Sequence, residues 1–451
     1  MSKEIGTQLA RFVVDTSYPD IPKEILEFTK GLILKTTAGM VAGSSMMAGR
    51  RMARIVKNRN LPEDVGVIGC GFKTSLWESI LLNAYFSHAA ELEDDSFERG
   101  LFWDITVVPL MFSLAEHARL SGRDLLEACA VGLEVHARTS LFRMEQLGLL
   151  FGSGAAGPAA AAAKALRLDV DRTLSAMGIA MSGVPMAILS FGTDAHYFES
   201  AAHSMLGMIA VEMGREGMTG NFDIAQYLSE MIGKDKVIPE MIVKDLGKEW
   251  VFQNIWIKKY PCCFLTHRHI DLVLALKSQH NLSYKDVESI ELGVSPGDAS
   301  CNRPEPKTLG DLQFSFQHLL GSAMLDGDVN YKHIDRDILL DSAYEEARSK
   351  VRLYDDPELF KYKLFLEAPA NLTIRMKDGR TFSGERQYPI GCIHEPVSID
   401  RIKSLYLKFT EGVLAREQAE RTAEMLLHLE KLKDVQELMD ILTYRHRMCA
   451  K

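Results

Sequence analysis

The stretch that decides the fold runs Leu76-Trp-Glu-Ser-Ile-Leu-Leu-Asn-Ala-Tyr-Phe-Ser-His88-Ala-Ala-Glu91-Leu-Glu-Asp94-Asp95. Its first half is an apolar run that predicts a helix. Its second half places one histidine and four carboxylates within eight residues. Acids this close repel one another, so we expect at least one raised pKa, as in an acid or base of an active site. A solvated, acidic helix end is the alternative interpretation.

The sequence around this stretch also predicts helices. Apolar residues recur at helical spacing in residues 25–34, 110–120 and 125–135. Ser121 and Asp169 precede periodic runs, where the N-caps of helices are expected. We therefore predict that residues 1–263 form a large all-helical domain.

The pattern changes in the last third of the chain. Residues 287–294 alternate in part between apolar and polar side chains, and residues 371–382 alternate more cleanly around the turn signal Asp378-Gly379. Helical patterns at 314–325 and 335–352 lie between these two segments. The sequence therefore predicts a mainly α protein with a smaller α+β domain over residues 264–399, followed by further helices over 400–451.

Composition limits the classes of function. A chain of 451 residues is long enough for two or three cores. The net charge of -9 argues against a nucleic-acid partner, although it does not exclude an anionic substrate. No apolar run is long enough to span a membrane, and residues 1–6 lack the pattern of a signal peptide. The seven scattered cysteines suit reduced thiols in a cytoplasmic protein.

Several motifs together resemble one known family. His88-Ala-Ala-Glu-Leu-Glu-Asp-Asp95 is similar to the His-Ala-Leu-Asp/Glu-Phe/Leu-Asp-Asp motif of the MmgE/PrpD family, and Lys258-Lys-Tyr-Pro-Cys-Cys263 with Thr266-His267 is similar to its Lys-x-Tyr-Pro-x-Cys-x-x-x-His loop. Further similar segments follow in the family's order: Val107–Pro109, Leu114–Glu116, Ser121–Leu126, Gly157–Lys164, Phe314-Ser315, Asp326-Gly327 and Asp378–Arg380.

The resemblance implies both an architecture and a chemistry. It implies that the helices of residues 400–451 complete the helical domain, and that the chain forms a homodimer. Apolar helices at 25–50 and 76–90 are the surface that we expect a partner copy to cover. It also implies an enzyme that acts on a small di- or tricarboxylate without a cofactor. No EF-hand or two-histidine, one-carboxylate spacing indicates a metal site.

The resemblance also indicates which residues form the site, position by position. Glu91 stands where the family has Asp or Glu, and Asp95 where it often has Thr or Gly. Lys258 and His267 match the lysine and histidine of the loop, with a surface charge and a structural histidine as the respective alternatives. The expected catalytic residues are Glu91, Asp95, His196, His267 and His318, and the expected substrate-binding residues are Asp94, Asp104, Lys258, Tyr260 and Cys263.

The chain departs from the family pattern at three places. Phe102-Trp103-Asp104 stands near the family's His-Pro-Ser motif, and Gly148-Leu149-Leu150 near its His-Pro-Thr motif. The lysine of its Lys-Arg-x-His motif is His196 here. Histidine titrates near neutral pH, so His196 is the leading candidate base, with Glu199 three residues further on the same helical face. A histidine that braces this helix is the alternative.

Three functions are compatible with these residues. The leading one is a lyase that removes a proton next to a carboxylate and then eliminates water or CO2. The second is an epimerase or isomerase, for which His196 with His318 or His267 supplies two bases. The third is an inactive paralogue that acts as a binding protein, since two histidines of the family pattern are missing.

Overall fold

The computed structural model describes residues 2–98, 100–150, 154–183 and 186–444. The chain divides into two compact units. The larger unit comprises Met1–Ala187, Tyr197–Ile255 and Ser398–Lys451, and the smaller comprises Ile188–His196 and Trp256–Val397. The fold class is confirmed, because helices dominate the chain and a small sheet lies in its C-terminal part. Residues 445–451 of the expected C-terminal helices lie outside the described residues.

The larger unit is built from helices. They are α1 Ser2–Asp15, α2 Lys23–Ser45, α3 Met47–Lys57, α4 Leu76–Ala89, α5 Val108–His117, α6 Gly122–Thr139, α7 Ala156–Ala165, α8 Val170–Ala180, α9 Asp194–Arg215, α10 Ile224–Ile232, α11 Glu240–Val243, α17 Ile399–Thr410, α18 Arg416–Leu427 and α19 Gln436–Thr443. The first three residues of α9 belong to the smaller unit. Short strands accompany them: β1 Val65–Gly66, β2 Lys73–Thr74, β3 Asp95–Ser96 and β4 Ile255–Trp256.

Helix α2 forms the centre of the larger unit. Its residues are buried without a break from Thr29 to Ser44, as expected for a helix that is apolar on every side. It packs against α4 and against α17, so the C-terminal helices complete this unit. The N-caps predicted at Ser121 and Asp169 are confirmed, because each side chain accepts a hydrogen bond from the backbone three residues later.

The smaller unit combines five helices with a mixed sheet. The helices are α12 Phe264–Gln279, α13 Leu309–Gln313, α14 Phe316–Asp326, α15 Arg336–Leu340 and α16 Ser342–Ser349, and the strands are β5 Val287–Val294, β6 Val351–Asp355, β7 Ala370–Met376 and β8 Thr381–Arg386. The strand order is β6-β5-β7-β8, with β5 and β6 parallel and the other pairs antiparallel. The predicted hairpin turn is confirmed by Gly379, which has φ 87°.

The expected helix over 335–352 was too long. It is divided into α15 and α16, and Val351 and Arg352 begin strand β6 instead. Val351 pairs with Ile290 of β5, a partner that is distant in sequence and therefore invisible to local periodicity.

The expectation that residues 25–50 and 76–90 offer apolar surface to a partner copy was wrong. Residues 79–90 are all buried, and most of α2 is buried as well. Their apolar surface is covered by other helices of the same unit, so it is not available for a partner.

Among the helices that the structure describes, none is both long enough and apolar enough to cross a membrane. The six cysteines within the described residues are all thiols rather than disulfides.

Candidate active site

The acidic motif is buried in the larger unit, so the alternative of a solvated helix end was wrong. Glu91 is 1% exposed, Asp94 0% and Asp95 7%. Helix α4 ends at Ala89, and the Glu91 N–H donates to the His88 carbonyl at 2.9 Å. Glu91 adopts φ 50°, a left-handed conformation that costs a residue other than glycine free energy. Such backbone conformations persist where the surrounding structure enforces them, often at functional sites.

Asp95 is held by three hydrogen-bond donors. Its Oδ1 accepts from the Ser96 N–H at 2.7 Å and from the Phe102 N–H at 3.2 Å, and its Oδ2 accepts from Trp103 Nε1 at 2.6 Å. Three donors of this kind stabilise a carboxylate and fix its orientation. The segment that departs from the family pattern at 102–104 therefore supplies two of the bonds that hold Asp95.

Asp94 and Asp104 are bound by residues of α2. Lys35 Nζ lies 2.9 Å from the Leu92 carbonyl and 3.3 Å from Asp94 Oδ1. Asp104 Oδ1 accepts from the Asp94 N–H at 3.0 Å, and its Oδ2 contacts Thr36 Oγ1. Burial, and then the nearby Asp94 carboxylate, raise the pKa of Asp104 well above its usual value. Both oxygens of Asp104 are thus engaged by protein groups, which suits a supporting role better than the expected contact with substrate.

His196 lies in the first turn of α9. Its ring is buried against Phe191 at 4.9 Å and Phe314 at 5.9 Å between ring centroids. The carboxylate of Glu199 accepts a hydrogen bond from the Ala187 N–H at 3.3 Å. Glu199 therefore braces the backbone that precedes this helix.

The Lys258 loop is also buried, so the alternative of a surface charge was wrong. Lys258 is 1% exposed, and its Nζ lies 5.7 Å from the centroid of the Phe264 ring. The neighbouring Lys259 has a different environment, because it forms a 2.6 Å ion pair with Asp271. Tyr260 also donates to Asp271, at 2.8 Å. Burial and the Asp271 charge raise the pKa of Tyr260 well above its usual range, so this hydroxyl keeps its proton and braces the loop.

Cys263 and His267 continue the loop into α12. Cys263 precedes the helix, and its N–H donates to the Gln313 carbonyl at 3.0 Å. His267 Nε2 lies 3.1 Å from the Cys262 carbonyl oxygen. Because this oxygen can only accept a hydrogen bond, Nε2 carries a hydrogen and donates it. The loop is therefore joined to residues 313–314, and Phe314 in turn contacts His196. The smaller unit thus brings His196 and the Lys258 loop into one region.

His318 is in a different environment from the other candidates. Its Nε2 donates to the His333 carbonyl at 2.7 Å, and burial lowers its pKa to about 3. A histidine this weakly basic accepts a proton poorly near neutral pH. These features favour a structural role for His318.

Sequence reasoning did not identify Lys35, Thr36 or the indole of Trp103. One signal was present: Lys35 follows the apolar run Leu32-Ile-Leu34 inside a helix, and a buried lysine needs an anionic partner. The identity of that partner depends on tertiary packing, because Asp94 lies 59 residues further along the chain.

Comparison with known proteins matches most of the chain to the two domains of one family. The model of the MmgE/PrpD N-terminal domain matches residues 7–229, and that of the C-terminal domain matches residues 260–431. A cis-aconitate decarboxylase-like protein from Aspergillus oryzae is 26% identical over 97% of this chain and 97% of its own length. Cis-aconitate decarboxylases from Aspergillus terreus and Homo sapiens are 24% and 25% identical, covering 97% and 77% of this chain and 96% and 76% of their own lengths.

Proposed function

This chain belongs to the MmgE/PrpD family, and we propose that it is a cofactor-independent lyase acting on a small di- or tricarboxylate. For loss of water, the enzyme removes a proton from the carbon next to a carboxylate, and the hydroxyl group leaves after an acid protonates it. For loss of CO2, the carbon–carboxylate bond breaks, and the electron pair left on the carbon takes up a proton. The observation that carries the proposal is the buried region formed by His196 and the Lys258 loop within the smaller unit. A cytoplasmic location is part of the proposal, as the free thiols suggest.

Lys258 is the proposed anchor for a substrate carboxylate. Its ammonium is almost fully buried beside an aromatic ring in the unit that also holds His196, and a carboxylate that binds there forms an ion pair with it. An ion pair in a dry site is also stronger than one in water. Binding a carboxylate there lowers the free energy of the negative charge that develops when the neighbouring carbon loses its proton.

His196 is the proposed base. A neutral imidazole can accept a proton on one ring nitrogen and return it in the same catalytic cycle. The rings of Phe191 and Phe314 fix its orientation. Glu91 is the proposed acid of the larger unit, since the structure holds it in a buried position. The N–H donors on Asp95 engage both of its oxygens and stabilise its ionised form, so its proposed part is to fix the local backbone rather than to donate a proton.

Elimination is favoured over epimerisation because the second base is weak. An epimerase needs two groups that exchange protons with one carbon. Of the two candidates for the second group, His318 has a pKa of about 3 and His267 already donates to the Cys262 carbonyl. The relatives from Aspergillus terreus and Homo sapiens are named cis-aconitate decarboxylases, and loss of CO2 is an elimination. These names therefore also favour elimination, and cis-aconitate is the first substrate that we would test.

A screen of turnover tests this proposal. The purified chain is incubated with cis-aconitate and a panel of di- and tricarboxylates, and NMR follows loss of substrate and formation of product. We expect one substrate to lose water or CO2 without added metal or cofactor. Inversion at one carbon without elimination would instead support the epimerase, and the absence of any reaction across the panel would support an inactive binding protein.

A further inference from the structure

A buried network of polar side chains in the larger unit supports the acidic motif of residues 91–95. It consists of Lys35 and Thr36 on α2, Asp94 within the motif, and Asp104, and all four residues are 0–1% exposed. Lys35 pairs with Asp94, and Asp104 binds the Asp94 N–H, in a region without contact to solvent. An unbalanced charge in such a place costs several kcal/mol, so neutrality of the network is strongly favoured.

The contacts of Thr36 are compatible with a proton on Asp104. Its hydroxyl carries a single hydrogen, yet its oxygen contacts two others: the Leu32 carbonyl at 2.8 Å and Asp104 Oδ2. The Leu32 carbonyl, four residues earlier in the helix, can accept this hydrogen, as helical carbonyls often do from threonine hydroxyls. The contact with Asp104 then has a hydrogen only if the carboxyl group itself carries one.

We propose that Asp104 is a protonated carboxylic acid which, together with Lys35, positions the segment from Glu91 to Asp95. Its O–H donates to Thr36, while its other oxygen accepts from the Asp94 N–H. Lys35 and Asp94 then form a neutral ion pair, and Lys35 also binds the Leu92 carbonyl. Burial and the Asp94 charge, which raise the pKa of Asp104, agree with this assignment.

The network affects the rate of the reaction through the backbone segment that it holds in place. Lys35 and Asp104 bind the motif at Leu92 and Asp94, which lie between Glu91 and Asp95. A displacement of catalytic groups on the order of 1 Å can lower a rate about 100-fold. Lys35 and Asp104 are thus positioning residues. Only this last step rests on the proposed function, because it assumes that Glu91 acts on substrate.

Two variants, Asp104→Asn and Asp104→Leu, distinguish a protonated Asp104 from an ionised one. In Asp104→Asn the amide NH2 donates to Thr36 and the amide oxygen accepts from the Asp94 N–H, so the variant reproduces the neutral acid. Asp104→Leu has a similar volume but leaves the Asp94 N–H without its acceptor. We expect Asp104→Asn to keep a melting temperature near that of the wild type and to have a kcat much closer to it than Asp104→Leu. For Asp104→Leu we expect a lower melting temperature and a kcat lowered about 10- to 100-fold, with a smaller change in KM.

Infrared spectroscopy gives a readout that does not depend on turnover. Wild-type protein at neutral pH should show the carbonyl stretch of a protonated carboxylic acid, and Asp104→Asn should lack that band. This arm remains informative if no substrate is found, so failure of the proposed function is distinguishable from failure of this inference. Absence of the band, or a folded Asp104→Asn variant as inactive as Asp104→Leu, would overturn the protonated acid.

A double-mutant cycle tests the ion pair. Lys35→Met removes the cation and leaves the buried Asp94 carboxylate without it, so we expect a clearly lower melting temperature. Adding Asp94→Asn removes the unbalanced charge, and the double variant should recover a large part of the loss. If the double variant is as unstable as the sum of the two single variants, Lys35 and Asp94 do not form the neutral pair described above.

Discussion

At the scale of single residues, two adjacent lysines have different environments. Lys258 is buried beside Phe264, whereas Lys259 pairs with the buried carboxylate of Asp271. We predict that Lys258→Met raises KM about 10- to 100-fold, because a charge-assisted hydrogen bond to a substrate contributes about 1.5–3 kcal/mol.

Lys259→Met should instead lower the melting temperature, because it leaves Asp271 without its cation. Steady-state kinetics and thermal melts of both variants distinguish the roles, and an unchanged KM for Lys258→Met would remove this lysine from the site.

His196 is predicted to be the residue whose loss lowers turnover most. A general base contributes about 100- to 10,000-fold in rate, so His196→Gln should lower kcat within that range while the melting temperature stays near that of the wild type. His196→Lys, which restores the family residue, should recover substrate binding better than rate. His428→Gln, at an exposed histidine of the larger unit, serves as the matched control. Full activity of His196→Gln would make His196 structural and leave His267 as the candidate base.

The raised pKa of Asp104 predicts a specific dependence of stability on pH. The groups that face its carboxyl are Lys35, Thr36 and Asp94. Because its pKa is higher in the folded than in the unfolded state, its contribution to stability is full below the unfolded value of about 4 and is lost as the pH rises through the folded value. The free energy of unfolding of the wild type should therefore fall relative to that of Asp104→Asn as the pH is raised. Parallel denaturation midpoints for the two proteins at every pH would contradict this.

At the scale of secondary-structure elements, periodicity and caps predicted several helices of the larger unit and the β7–β8 hairpin. Ser121, Asp169 and Gly379 confirm that local sequence determines where these elements begin and turn. Local sequence did not predict β6, which forms because β5 offers it a partner. It also did not predict the contacts of Lys35 and Asp104, which join α2 to segments 57–68 residues away. Side-chain partners at such distances depend on packing, which a single sequence does not reveal.

The close approach of α6 and α7 gives a prediction at the same scale. A Cβ atom placed on Gly132 would lie 2.5 Å from Ala161 Cβ and 3.0 Å from the Gly157 carbonyl oxygen. Alanine normally stabilises a helix relative to glycine by about 1 kcal/mol, but here overpacking costs about 1–3 kcal/mol. Gly132→Ala should therefore lower the melting temperature, and the added change Ala161→Gly should recover part of the loss. A Gly132→Ala variant that is more stable than the wild type would mean that the two helices are not in such close contact.

At the scale of the whole molecule, we predict a homodimer that uses helix α9. This helix exposes Phe198 by 47% and Ile209 by 43%, with Met205 and Leu206 partly exposed on the same side. Exposed apolar residues grouped in this way are typical of an interface. Light scattering at micromolar concentration should give about twice the chain mass of 50.4 kDa, and Ile209→Glu should reduce it to the monomer. Met241→Glu, at an exposed residue of α11, is the control. A wild-type protein that scatters as a monomer would contradict the prediction.

The central claim is that this chain moves a proton at the carbon next to a carboxylate, and deuterium incorporation tests it most directly. The wild type and His196→Gln are incubated in heavy water with the carboxylate that reacts in the screen, or with cis-aconitate if none does, and NMR measures deuterium at each carbon. The account predicts that deuterium enters one carbon adjacent to a carboxylate in substrate or product with the wild type, and enters at least about 100-fold more slowly with His196→Gln. Loss of CO2 without any deuterium at such a carbon, or no exchange and no product with the folded wild type, would contradict it.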